Sequence, residues 1–403
     1  MNNISHLSPF KKTAIGLQFL FVAFGATVLV PILVGLDTST ALFCAGAGTL
    51  LFHLITKGMV PIYLGSSFAF IAPIIKASEL YGMAGTLSGI IAVGFVYIAM
   101  SILVKSFGTG FIKRLFPPVV IGPVIMLIGI SLAPTGVKMA QENWTLALIS
   151  LTTAVVTLFL GKGLIRLMPV LMGIIAGYIV AIIFYDVDFT GVRDAAWFTI
   201  PKFQTPQFSW EAMLYMLPVA IAPIIEHIGD VYTIGSVAKK DFTKKPGLHR
   251  TMLGDGVACI LSGFLGGPPQ TTYSEVTGAI SLTKMTDPSI IRITAIGAIL
   301  FSFMDKISAI LRSIPAPILG GIMLLLFGSI ASVGINSLVQ NRINMGNSRN
   351  TVIVSLTLTF GIGGATFIFG EFMSISGIGL SAIIGVALNL ILPRDKEEEE
   401  GSI

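Results

Sequence analysis

Charge is what this sequence has least of. Only 11% of its 403 residues are Asp, Glu, Lys or Arg, whereas soluble domains carry roughly 25%. Hydrophobic residues make up 54%, and the mean hydropathy is +0.89. A water-soluble globular fold is excluded. Cysteine is nearly absent too: Cys44 and Cys259 sit in separate apolar runs, away from any second thiol or ligand-spaced histidine. Neither a disulfide framework nor a zinc site is indicated. Among four histidines and two cysteines no spacing provides a nucleophile with a base, or a metal cluster, so an enzyme and a cofactor are not expected. The net charge of +5 does not point to nucleic acid, because the basic residues lie in short loops and not on one soluble face.

What the sequence has in quantity is glycine (44) and proline (20), spread through the apolar stretches. Bilayers permit such helix breakers where neighbouring protein satisfies the backbone, a pattern that suits transporters better than simple anchors. A helix needs about 20 apolar residues to cross the hydrocarbon core. In the first half, runs recur at about 14–35, 40–56, 84–104, 116–134, 145–161 and 168–185. The first follows Lys11 and Lys12, but it is too long for a signal peptide and many segments follow it. Between the second and third runs, 59–75 contains Pro61, Gly65-Ser66-Ser67 and Pro73 and is read as a discontinuous span. The second half has runs near 213–237, 251–266, 290–304, 314–334, 351–369 and 373–392, plus a polar Gly/Pro-rich segment, 266–282, containing Pro268, Pro269 and Glu275. Each half therefore holds seven segments.

An internal match supports this division. Phe116-Pro117-Pro118-Val119-Val120-Ile121-Gly122-Pro123 aligns, at an offset of 198 residues, with Ile314-Pro315-Ala316-Pro317-Ile318-Leu319-Gly320-Gly321. An odd number of spans per repeat makes the halves inverted. With a cytoplasmic N-terminus, Lys76, Lys138, Arg193, Lys202, Lys306 and Arg312 fall outside and the other nineteen of 25 Lys and Arg inside, as the positive-inside rule requires. Both termini are then cytoplasmic, and 394–403 is a charged tail. Inverted repeats with a break at matching places direct attention to a midplane site between 61–73 and 266–282.

Ionisable residues at the centre of an inserted helix cost roughly 2.5–3.5 kcal/mol and mark function or structural pairing. Glu226 and Asp230, spaced i and i+4, share one helix face, and Glu275 lies in the second break. Glu226 reads as a site carboxylate in preference to a structural buried acid. Asp230 is open between a site role and orienting a neighbour near the helix end, and His227 reads as a packing or interhelical hydrogen-bonding residue. In Gly65-Ser66-Ser67-Phe68 and Thr271-Thr272-Tyr273-Ser274, backbone amides and new helix N-termini can meet carbonyl acceptors. Carboxylates with several amides match a small planar molecule that presents N–H donors beside C=O acceptors, as a nucleobase does. A glutamate in such a low-dielectric pocket can also exchange a proton during a transport cycle.

The stretches Tyr63-Leu64-Gly65-Ser66-Ser67-Phe68-Ala69-Phe70, Glu226-His227-Ile228-Gly229 and Thr271-Thr272-Tyr273-Ser274-Glu275 resemble the uracil permeases of the nucleobase-ascorbate transporter family. Phe24 to Pro31 and Pro246-Gly247-Leu248-His249-Arg250 are similar as well, so the resemblance covers nearly the whole chain. It implies an all-α polytopic protein of fourteen segments, two inverted sevens with short antiparallel strands in segments 3 and 10. It also implies a core (1–104 and 205–306), a gate (105–204 and 307–393), elevator-type movement, a homodimer and a bacterial inner-membrane location. By the same resemblance Glu226 and Glu275 bind ring N–H groups, amides at Phe68 and Ser274 meet the carbonyls, Tyr273 lies in the substrate site, and uracil travels with a proton through Glu226 and Asp230. Asp230 replaces a histidine of the best-known uracil permeases, and Val276 replaces a common asparagine of the signature. A xanthine or other nucleobase carrier stays open, and an anion carrier is the more distant alternative, because two glutamates oppose it.

Overall fold

The computed structural model describes residues 8–108, 110, 115–369 and 373–393; the tail 394–403 lies outside the described residues. The first half contains α1 (Pro9–Val34), α2 (Thr38–Ile55), β1 (Leu64–Ser66), α3 (Ile71–Phe107), α4 (Pro118–Gln141), α5 (Trp144–Leu160) and α6 (Pro169–Phe184). The second contains α7 (Trp210–Met216), α8 (Ile221–Ala238), α9 (Leu248–Leu265), β2 (Gln270–Thr272), α10 (Ser274–Thr283), α11 (Pro288–Ser302) and α12 (Asp305–Arg312). It ends with α13 (Ala316–Gln340), α14 (Ser348–Ile362), β3 (Thr366–Phe369), β4 (Met373–Ser376) and α15 (Gly377–Ile391).

Local chemistry sets many of these limits. Ser8 caps α1 by accepting from the Lys11 amide, and Gly35, at φ 77°, ends it in the left-handed conformation. Asp37 then starts α2 by accepting from the Thr40 amide at 2.8 Å. Among the described residues, six helices are long and apolar enough to cross a bilayer, or seven if α11 and α12, bent by 79°, count as one span. α5, α6 and α15 are shorter apolar helices. Phe159 and Phe184 are 72% and 74% exposed, an arrangement that fits lipid and not water. The protein is a multi-pass membrane protein built mainly of helices.

One boundary agrees with the sequence reading and two elements depart from it. The boundary read between segments 3 and 4 falls at Gly82, whose φ of 72° and ψ of 160° divide α3 into two helices. The run 213–237 divides into α7, a short 3-10 turn over Leu217–Ala220, and α8, with Pro218 and Pro223 at the division. The run 351–369 does not stay helical. Gly363 and Gly364 follow α14, and β3 then pairs with β4 in antiparallel register, a strand pair the sequence reading did not anticipate.

The main packings join α4 with α13, α3 with α9, α2 with α11 and α2 with α9. Where α3 crosses α9, a Cβ at Gly94 would stand 2.6 Å from the Gly256 carbonyl oxygen, and one at Gly256 would stand 2.8 Å from that of Gly94. Each glycine is thus the surface on which the other helix rests. One buried cluster gathers Phe19, Phe52, Phe70, Tyr97 and Met252, and a second joins Leu146, Ile174, Ile318 and Ile322. Because overpacking a tight contact costs about 1–3 kcal/mol, Gly256→Leu is expected to lower the thermal midpoint in detergent clearly, with Gly256→Ala in between. A midpoint unchanged by leucine would mean that this crossing is loose.

Candidate functional site

The two breaks meet. β1 pairs antiparallel with β2 in the register Leu64↔Thr272, Gly65↔Thr271 and Ser66↔Gln270. The ladder continues on both sides, the Tyr273 amide donating to the Tyr63 carbonyl at 3.1 Å and the Ser67 amide to the Pro269 carbonyl at 3.0 Å. Gly65 has to be glycine, since a Cβ there would lie 2.6 Å from the Tyr273 ring.

Each strand leads within a few residues into a helix start. A 3-10 turn over Phe68–Phe70 opens α3, and Ser274 is the first residue of α10. The first amides of a helix have no acceptor within it and carry the positive end of its dipole. Both starts line one cavity of about 670 Å³. Glu226 and Asp230 reach it from α8, and Ile121, Ile125, Leu326 and Ile330 of α4 and α13 form its facing wall. Asn336, Ser337 and Gln340 extend the lining to the end of α13.

The residues singled out from sequence therefore share a single cavity, with different freedom. Glu226 is open to the cavity and makes no side-chain hydrogen bond among the described residues; Ser274 is also exposed, Phe68 and Glu275 are half-buried, and Tyr273 is buried. Asp230 is buried, and both its oxygens are occupied: Thr272 Oγ1 donates to Oδ2 and Ser274 Oγ to Oδ1, each at 2.8 Å. Its geometry braces the second break, joining α8 to β2 and to the first residue of α10. Val276 packs in the core and is absent from the cavity wall, so the missing asparagine removes nothing from this lining.

His227 faces away from the cavity. Its Nδ1 lies 2.8 Å from Asp255 Oδ2 and its Nε2 2.8 Å from Thr251 Oγ1, all three side chains being buried. The Thr251 hydroxyl donates to the Leu248 carbonyl at 2.9 Å, which leaves His227 Nε2 as the donor to Thr251. The contact between Nδ1 and Asp255 then needs a proton between them, and the pair is without net charge on whichever atom it rests. Asp255 is the carboxylate the sequence reading passed over. Its signal was present: one acid in the apolar run 251–266, four residues after Thr251.

Bilayer-length helices around a ligand-sized cavity, with a carboxylate open to it and two broken segments at its wall, define a membrane carrier. A model of the Permease family matches residues 10–369, and the chain belongs to that family, whose members are transport proteins and not enzymes. A probable uracil permease of Pasteurella multocida (strain Pm70) is 49% identical over 395 residues, 96% of this chain and 94% of the relative. The uracil permease of Bacillus caldolyticus is 45% identical, over 94% of this chain and 91% of its own length. That of Escherichia coli (strain K12) is 38% identical, over 96% and 93%. Among solved structures, the transmembrane domain of the cyanobacterial bicarbonate transporter BicA superposes with a TM-score of 0.63 at 15% identity, covering 96% of this chain and 98% of that one. The murine Slc26a9 anion transporter in its inward-facing state gives 0.72 at 10%, covering 96% and 68%. These two share the fold.

Removing one partner of a buried hydrogen bond costs about 1–3 kcal/mol. Asp230→Ala, which strands two hydroxyls, is expected to lower the thermal midpoint more than Asp230→Asn, which keeps one acceptor oxygen. Equal midpoints for wild type and both variants would remove the bracing role.

Proposed function

We propose that this protein imports uracil across the bacterial cytoplasmic membrane in symport with protons. The observation that carries this reading is the convergence of two helix starts and two glutamates, Glu226 and Glu275, on one cavity. Uracil presents ring N–H groups beside carbonyl oxygens. In this reading the glutamates accept from the N–H groups, amides at Phe68 and Ser274 donate to the carbonyls, and Tyr273 packs behind them. Relatives named uracil permeases, 38–49% identical over more than nine-tenths of the chain, support the substrate. Glu226, open to the cavity, is the proton carrier of the proposal. Asp230, with both oxygens engaged, takes part through the hydroxyls it holds.

The same reading has fourteen segments in two inverted repeats. Antiparallel pairing of β1 with β2 supports it, as does the packing: the repeat exchanges the α3–α9 contact with the α2–α11 contact, and both occur. A core of 1–104 and 205–306 then slides, elevator fashion, against a gate of 105–204 and 307–393, with the cavity between them. In the same reading the protein is a homodimer. Asn336 to Gln340 lie at the end of α13 that the charge distribution assigns to the cytoplasm, so the cavity is open inward and both termini are cytoplasmic. Although the fold is shared with anion carriers, among the described residues no Lys, Arg or His lines this cavity, which holds three carboxylates. An anion is therefore disfavoured.

The test is uptake of radiolabelled uracil into proteoliposomes, with and without an inward proton gradient, for wild type, Glu226→Gln and Glu275→Gln. Gradient-dependent accumulation, lost in both variants and unaffected by excess xanthine, is the expected result. Competition by xanthine would make the protein a broader nucleobase carrier, and variants that match wild type would displace the site.

A further inference from the structure

A two-stranded ribbon inside a bilayer has two outer edges, and each unpaired edge group costs several kcal/mol unless another part of the protein satisfies it. In an antiparallel pair, residues alternate between those that face the partner strand and those whose N–H and C=O point outward. The bonds from Tyr273 to Tyr63 and from Ser67 to Pro269 fix the inward set. Ile62, Leu64 and Ser66 on one strand and Pro268, Gln270 and Thr272 on the other therefore present their backbone groups to the outside.

Side chains from two helices meet four of these six. On α2, Thr49 Oγ1 accepts from the Leu64 amide at 2.9 Å and lies 3.5 Å from the Leu64 carbonyl, and one turn later His53 Nε2 donates to the Ile62 carbonyl at 3.0 Å. On α9, Cys259 Sγ donates to the Gln270 carbonyl at 3.0 Å, and Ser262 Oγ donates to that of Pro268. All four side chains are buried and none lines the cavity. The two clamps correspond: Leu64 and Gln270 are the first residues of their strands, and each stands four residues before a cavity-lining helix start, Phe68 or Ser274.

We propose that Thr49 and His53, with Cys259 and Ser262, are positioning residues that set substrate affinity by holding the outer edges of the ribbon. Three-residue strands have few ladder bonds of their own, and register slips easily where it is weakly specified. The clamps fix where each strand ends and so where the amides at Phe68 and Ser274 stand. Thr49 and Cys259 hold corresponding points, and substitutions at the two act on one rigid unit.

The inference rests on the uracil reading of the cavity, and the experiment separates the two. Uracil binding to the purified full-length protein is measured for wild type, Thr49→Val and Thr49→Ser, and for Cys259→Ala and Cys259→Ser, together with amide hydrogen exchange across 62–66 and 268–272. Thr49→Val, which keeps the shape and removes both bonds, is expected to weaken uracil binding about tenfold, or ~1.4 kcal/mol. Its maximal transport rate changes less, exchange at Leu64 quickens, and Thr49→Ser restores affinity and protection together. Cys259→Ala and Cys259→Ser repeat the pattern at Gln270 and decide the matter if Thr49→Val does not fold. Wild-type affinity in Thr49→Val, or a serine variant as impaired as the valine, overturns the proposal. If wild type itself binds no uracil, the substrate reading fails, and exchange that is unchanged in both alanine and valine variants would overturn the clamp on its own evidence.

Discussion

In hydrocarbon, an amide or carbonyl without a partner costs several kcal/mol, because no water replaces the lost bond. A carrier that binds its ligand at mid-membrane has to interrupt helices there, and this protein interrupts two. The solution is mutual. Each broken stretch becomes a strand for the other, so β1 and β2 satisfy one another's inner edge, while α2 and α9 turn polar side chains onto the outer edges. What remains free is the pair of helix starts at Phe68 and Ser274, which open on the cavity. The tight crossing of α3 on α9 at Gly94 and Gly256 holds together the helices that flank this arrangement.

The carboxylates divide the remaining tasks. Glu226 is open to the cavity and available to ligand and proton, whereas Asp230, one turn later on α8, is closed off by two hydroxyl donors. Asp255 is neutralised in another way, through a proton shared with His227. An isolated buried charge would be unsupportable here, and a charge that is hydrogen-bonded twice or paired is not. One helix thus presents an acid free of side-chain partners among the described residues next to acids that are engaged by hydrogen bonds. In the proposed cycle the load falls on Glu226 and Glu275.

How much of this could be read from the chain follows from the range of each signal. Long apolar runs announce spans wherever they occur. The breaks near Gly65 and Pro268 were legible because proline, glycine and serine interrupt such runs, and the spacing of Glu226 and Asp230 followed from helix geometry alone. The break at Gly82 lies between the runs 59–75 and 84–104, where the polar residues Lys76, Ser78 and Glu79 already separated them. β3 and β4 were hidden because Thr366 to Phe369 is as apolar as a span and only the glycines before it end α14. Asp255 was passed over because its partner His227 lies 28 residues away on another helix. The occupied state of Asp230 depends likewise on hydroxyls more than 40 residues distant.

Fold and ligand charge are separable in this architecture. Two helix starts at one cavity bring partial positive charge, roughly half an elementary charge each, which by itself suits an anion. The structural neighbours named as bicarbonate and anion transporters share the fold at 15% and 10% identity. Here Glu226, Asp230 and Glu275 line the same cavity, and no basic side chain joins them among the described residues. Two ionised glutamates outweigh the helix ends and repel an anion. Protonated, they would leave a field that is close to balanced, with hydrogen-bond donors and acceptors side by side. In the proposed cycle the carboxylates would make occupancy by a neutral donor–acceptor ring depend on the protons they hold, and that dependence would link ligand movement to proton movement on a scaffold whose backbone alone would favour negative charge.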